Sequence, residues 1–159
     1  MIIEFKAIGV IHTPFDAIEG MPIQPTGAVG VRGTVDIFTE YAQGLQDLDG
    51  FSHIILLYHF NQSGQPKLIV EPFLDKTPHG VFATRAPSRP NAIGLSTVKL
   101  IGIKGCRLMV ENIDVLDATP LLDIKPYVPE FDHHPADRIG WLDQARGAAK
   151  RHKSDKRFG

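Results

Sequence analysis

Two guanidiniums held on a stiff loop form a ready site for an anion, and one stretch of this chain has that character. Gly80-Val-Phe-Ala-Thr-Arg-Ala-Pro-Ser-Arg-Pro-Asn-Ala-Ile-Gly-Leu-Ser96 sets Arg85 and Arg89 between two apolar runs. Pro87 and Pro90 lock their own φ and push Ala86 and Arg89 into extended geometry. The two arginines therefore stand at most about 14 Å apart at full stretch. A preorganised cation loses little entropy on binding, so the loop suits an anionic ligand. The alternative is a rigid crossover whose arginines bond loop carbonyls. The amount of sequence devoted to the motif favours a ligand.

A second concentration of chemistry is Asp114-Val-Leu-Asp-Ala-Thr-Pro-Leu-Leu-Asp-Ile-Lys-Pro-Tyr127, with three acids and a lysine around a Thr-Pro turn. A carboxylate there can accept the vicinal hydroxyls of a nucleoside, or cap its own backbone in an Asx-turn. His59 and Phe60 end the most apolar run, where an imidazole and a ring would flank an adenine or simply fill a rim. Gln24-Pro25-Thr26 lies in a Pro/Gly-rich loop. The histidines of Asp132-His133-His134 project in different directions and match no zinc spacing, so no metal is expected. There is no Ser/His/Asp elbow and no phosphate-binding Gly-x-x-x-x-Gly-Lys loop.

The elements that must position these residues read as short apolar segments separated by turns, the pattern of an all-β barrel or sandwich. Strands are expected over Phe5–Ile11, Val29–Ile37, His53–Phe60, Lys67–Val70, Val81–Thr84, Leu95–Ile103, Arg107–Val115 and Leu122–Ile124. Val31, Gly33, Val35 and Ile37 alternate with Arg32, Thr34 and Asp36, so one face of that strand is buried. His53 to Phe60 is apolar nearly throughout, which implies that both its faces are covered. A short helix is expected over Glu40–Gln46 with Thr39 as its N-cap. After Pro129 the pattern changes, and Pro135 is expected to open a helix through Ile139, Leu142, Ala145 and Ala149. Residues 1–130 thus form one barrel domain, and 131–159 a C-terminal helix and basic tail. No βαβ alternation or Gly-x-Gly-x-x-Gly turn supports a Rossmann fold.

The chain has 159 residues, 43% hydrophobic and 22% charged, enough for one domain with a core of its own. No apolar run is long enough to span a membrane, and no signal-peptide pattern opens the sequence. The single cysteine, Cys106, excludes an intrachain disulfide and points to a reducing cytoplasm. The net charge of −1 hides an asymmetry, since residues 146–157 hold six of the 17 Lys/Arg and only one of the 18 Asp/Glu. A net acidic body is a poor general polyanion binder, so nucleic-acid contact would be local to the arginine loop and the basic end. That end serves either as such a contact or as a solvated terminus.

Thr84-Arg-Ala-Pro-Ser-Arg-Pro-Asn-Ala-Ile-Gly-Leu-Ser96 closely resembles the signature of the TsaA-like (TrmO) family. So, in order, do Ile8-Gly-Val-Ile-His-Thr-Pro14 with Gln24-Pro25, Leu48-Asp-Gly-Phe-Ser-His-Ile54 and Asp117-Ala-Thr-Pro-Leu-Leu-Asp-Ile-Lys-Pro-Tyr127. The resemblance implies a β-barrel, S-adenosylmethionine-dependent methyltransferase that N6-methylates threonylcarbamoyl-adenosine beside the anticodon of tRNA, acting as a homodimer. It implies cofactor contacts from Gln24, Pro25, Thr26, His59, Phe60, Arg85, Leu95, Asp114, Val115, Leu116 and Asp117. Arg89, Asn91 and Lys125 would meet the RNA, with Asp117, Asp123 or Tyr127 as a general base. A sulfonium methyl is already activated, so placing the acceptor nitrogen within about 3–3.5 Å supplies much of the acceleration. Ala86 and Ala92 replace the family's usual Ser and Pro, and about 30 residues follow Tyr127 where bacterial members continue into a second domain. A non-enzymatic RNA-binding barrel, or a methyltransferase for another substrate, are the competing readings.

Overall fold

In a computed structural model, which describes residues 1–145, 150–155 and 158, eight strands form two sheets. Six of them close a barrel: β1 (Gly9–His12), β2 (Arg32–Ile37), β3 (His53–His59), β6 (Ile93–Lys104), β7 (Arg107–Glu111) and β8 (Thr119–Pro126). Around the barrel they run β1-β2-β7-β6-β3-β8, every neighbouring pair antiparallel, and β1 closes the ring by pairing with β8. The two-residue strands β4 (Ile69–Val70) and β5 (His79–Gly80) make a small ribbon outside it.

Alternation along each strand fills the interior. Ile11, Val35, Ile54, Leu56, Val98, Leu108, Val110 and Leu121 are all at most 1% exposed and share one core. Gly33, Val35 and Ile37 do lie on the more buried face of β2, Val31 just before the strand packs against the same core, and Cys106 joins it from the turn between β6 and β7. Gly105 opens that turn at φ 60°, a conformation that costs a glycine little. A second, smaller core forms from Val70, Val81, Ala86 and Phe158 with Phe73 against it.

The departures from the expected elements have local causes. Val81–Ala83 is a 3-10 turn, not a strand end. There Thr84 bonds Val81 O through both its N–H (3.1 Å) and its hydroxyl (2.8 Å), which curls the chain. Thr39 does not cap an α-helix: residues Thr39–Leu45 form a 3-10 segment that Phe38 precedes, without a side-chain cap. β1 starts at Gly9, leaving Phe5 67% exposed. No helix opens at Pro135. One α-turn spans Pro129–Asp132, residues 133–139 are irregular, and a 3-10 segment covers Gly140–Ala145. Gly140 at φ 60° interrupts the run, and Ile139 and Leu142 stay 38% and 37% exposed, so the apolar spacing finds no common core. Ala149, the expected end of that helix, lies outside the described residues, as do Arg146, Lys156 and Arg157 of the basic tail.

Register matters most where β3 meets β6. Tyr58 pairs with Gly94, and a methyl group at position 94 would run into the Tyr58 ring. Gly94→Ala is expected to cost about 1–3 kcal/mol of stability by overpacking. Urea unfolding measures this, and a loss below ~0.5 kcal/mol would mean that the ring moves freely aside.

Candidate active site

One end of the barrel opens into a cavity of about 740 Å³. That is within the roughly 300–1,000 Å³ of pockets that bury a cofactor-sized ligand. The barrel supplies its floor through Tyr58 of β3, Ile93, Gly94 and Leu95 of β6, Thr119 of β8, and Asp114, Val115 and Leu116 of the β7–β8 connection. Residues 18–24, the stretch from Pro72 to Arg89, and the C-terminal segment with Trp141 and Phe158 form its walls.

A hydrogen-bonded chain runs through that floor. Ser96 donates its hydroxyl proton to Asp114 Oδ1 at 2.6 Å, so the Tyr58 hydroxyl, 3.0 Å away, must be the donor to Ser96. Tyr58 is 4% exposed, and burial together with the nearby Asp114 charge raises its pKa, keeping the phenol protonated. Burial likewise pushes the Asp114 carboxyl up to about 6, against the opposing pull of the Ser96 bond and the Arg85 charge. Among the described lining residues Asp114 is the only acid. Phe60 meets Tyr58 edge to face at 5.4 Å, and Arg85, exposed at the mouth, donates from Nη1 to Gln24 Oε1 at 2.9 Å.

The cavity therefore gathers Gln24, Phe60, Arg85, Arg89, Leu95, Asp114, Val115 and Leu116 from the residues expected at the site. Arg89 also braces its own loop, donating from Nη1 to Thr84 O (3.3 Å) and Ala86 O (3.4 Å). Pro25 and Thr26 follow Gln24 in a 3-10 turn outside the lining, and the exposed His59 and Asn91 also stand outside it. Asp117 accepts from Thr13 N at 3.0 Å and lies 3.2 Å from His12 Nδ1. The Thr13 amide, foremost, lowers its pKa. Asp123 pairs with Lys125 at 2.8 Å. Tyr127 packs edgewise on His53 at 6.2 Å, at the far end of β3. Seven residues of strand put about 20 Å between that end and the cavity. The structure thus brings none of Asp117, Asp123 and Tyr127 to the cavity wall. It adds Tyr58, Phe82 and Trp141 to the wall and sets Ser96 behind it, between Tyr58 and Asp114; the alternation of Gly94 and Ser96 is the one sequence signal among them.

A closed six-stranded barrel whose open end holds one half-buried carboxylate and an arginine loop is a small-ligand site built on an all-β scaffold. The tRNA-methyltransferase O N-terminal domain matches residues 10–133, and the chain belongs to that family. It is 49% identical, over 99% of its length and 86% of the relative's, to a probable S-adenosyl-L-methionine-binding protein of Pyrococcus abyssi. It is 36% identical to the tRNA (adenine(37)-N6)-methyltransferase of Homo sapiens, over 80% of this chain and 30% of that one. The crystal structure of TrmO from Pseudomonas aeruginosa superposes with a TM-score of 0.74 at 38% identity, covering 89% of this chain and 63% of that chain. The chain thus spans less than two thirds of the TrmO it resembles.

The raised Asp114 pKa has a consequence for stability. The folded state holds this proton up to about pH 6, whereas an unfolded carboxyl releases it near 3.8. Between those values the folded chain binds more protons, so stability falls as pH rises from about 4 to 6 and then levels. The contribution is at most about 3 kcal/mol. Asp114→Asn is expected to remove it, and chemical unfolding at pH 4.5 and 7 reads the difference between the two proteins.

Proposed function

We propose that this protein is an S-adenosylmethionine-dependent methyltransferase that N6-methylates threonylcarbamoyl-adenosine beside the anticodon of tRNA. Family membership supports the reaction class. The observation that carries the reading at the site is the single lining carboxylate, Asp114, half-buried in a mostly apolar cavity beneath an arginine loop.

The residues present fit the cofactor. The cavity has the volume, its apolar walls suit a purine and a methionyl chain, and Arg85 at the mouth offers a partner for the amino-acid carboxylate. When bound, S-adenosylmethionine supplies an activated methyl group and leaves as a neutral thioether. The protein's own part is orientation and one proton. Tyr58 and Ser96 fix the Asp114 carboxylate, and the apolar wall excludes water from it. Asp114, ionised above about pH 6, takes the proton that the acceptor N6 gives up as its bond to the methyl carbon forms. The carbamoyl group acidifies that N–H, so a carboxylate of raised pKa is a suitable acceptor. Arg89 supports the loop that carries Arg85, and the exposed Lys150, Arg151 and Lys153 add local positive charge for RNA. A cytoplasmic homodimer remains the expected context of the reaction.

Calorimetry with S-adenosylmethionine and methyl transfer to the modified tRNA test the reading. Absence of both would sink it. Arg85→Ala is expected to weaken cofactor binding ~10-fold or more, the worth of a charge-assisted hydrogen bond. Asp114→Asn should keep the fold and lose ~10²–10⁴ in rate. In the parent protein the rate should climb with pH through about 6 and then level. Ser96→Ala removes a bond that favours the ionised carboxylate, so its profile should shift to higher pH. An unmoved profile would place the titrating group elsewhere.

A further inference from the structure

The segment after residue 133 lies outside the matched domain, yet it walls the cavity. Trp141, the chain's single tryptophan, is held there from two sides. Its Nε1 donates to Ala83 O at 2.9 Å. Its ring stacks on His79 at 4.7 Å with only 17° between planes, and His79 is fixed by Asp75 at 2.9 Å. The indole is half-buried and borders the cavity. Beside it on the cavity wall, Phe82 is 76% exposed and Leu142 37% exposed. These are rim residues, in contrast to the buried Tyr58 and Gly94 of the floor.

Depth assigns the two purines of the reaction to different places. A free cofactor can pass to the floor, but a nucleotide of tRNA arrives on a polymer too bulky to enter the barrel. It reaches the reacting methyl only as a base turned out of its stack. That base must lie at the mouth with its N6 edge turned inward toward Asp114, and an aromatic face at the mouth offers stacking regardless of sequence. An indole already fixed by a backbone bond and a stacked imidazole loses little freedom on packing against it. We propose that Trp141 is the stacking platform for the acceptor adenine, a substrate-positioning residue supplied from outside the shared domain. The proposal rests on the tRNA reading given above.

Because Trp141 is the only tryptophan, its fluorescence reports the contact directly. The probes are S-adenosylhomocysteine and an anticodon stem-loop RNA carrying threonylcarbamoyl-adenosine, with RNA binding followed separately by anisotropy. With S-adenosylhomocysteine saturating, the RNA should quench the indole further and saturably. Trp141→Ala should raise KM for the RNA ~5- to 150-fold, the worth of one stacked base. Its kcat should stay within a few-fold and its S-adenosylhomocysteine affinity within about twofold, and Trp141→Phe should recover most of the loss. If Trp141→Ala melts early, the Phe variant and the quenching of the unmodified protein decide. RNA that binds without quenching overturns the proposal. So does full quenching by S-adenosylhomocysteine alone, which puts the cofactor's purine on Trp141. RNA that fails to bind a protein that does bind S-adenosylhomocysteine removes the tRNA reading itself, and the platform with it.

Discussion

The site depends on one register. β3 and β6 pair so that Tyr58 falls opposite Gly94, and the missing side chain at 94 leaves room for the phenol ring. From there the hydroxyl reaches Ser96, two residues along the same face of β6, and Ser96 reaches Asp114. Slipping this pairing by one residue would turn Ser96 outward and point Leu95, now 50% exposed, into the interior. Barrel closure forbids the slip, because β3 is also tied to β8, and β8 to β1. Backbone pairing on the far side of the barrel thereby fixes a side-chain chain a few ångströms long at its mouth.

Around that floor the protein is built from two unequal cores. The barrel interior holds residues from all six strands, and the smaller one holds Val70, Val81, Ala86 and Phe158. The arginine loop bridges them: Ala86 is buried in the small core, while Arg85 turns back to Gln24 at the cavity mouth. The prolines alone do not make this loop stiff. Thr84 turns the chain through its hydroxyl, accepting from Ala86 N at 3.2 Å, and Arg89 bonds the carbonyls of Thr84 and Ala86. The two purposes weighed for the arginines in the sequence are thus divided between them. Arg89 secures the loop, and Arg85 faces the cavity mouth.

Strands and barrel class were legible because alternation at Val31–Ile37 and long apolar runs such as His53–Phe60 are local signals. Where short-range bonding or a single glycine decided, the sequence pattern misled. Val81–Ala83 is as apolar as a strand but curls on the Thr84 hydroxyl. The spacing of Ile139 and Leu142 looks helical, yet Gly140 interrupts it and Trp141 is held by contacts to residues about 60 positions earlier. The cavity residues within the signature, Arg85 and Leu95, and those in the turn at Asp114–Leu116 were readable. The carboxylates were not told apart by sequence: Asp114 and Asp117 are three residues apart, but one accepts from Ser96 on the cavity floor and the other binds the Thr13 amide beside His12. That difference is set by where the β7–β8 connection places each side chain, and not by residue type, which is the same at both positions.

The last wall of the cavity is joined to the first across most of the chain. Met21 N bonds Ser154 Oγ at 3.0 Å, Ser154 N bonds Met21 O at 2.8 Å, and Pro22 bridges Lys153. On a ribosome these partners emerge far apart in time, since 133 residues separate Met21 from Ser154. The barrel strands are complete at Pro126, so the barrel can close before the segment carrying Trp141, Ser154 and Phe158 has been made. The pocket cannot. A nascent chain can therefore hold a closed barrel before its ligand site has all its walls, so binding competence trails barrel formation.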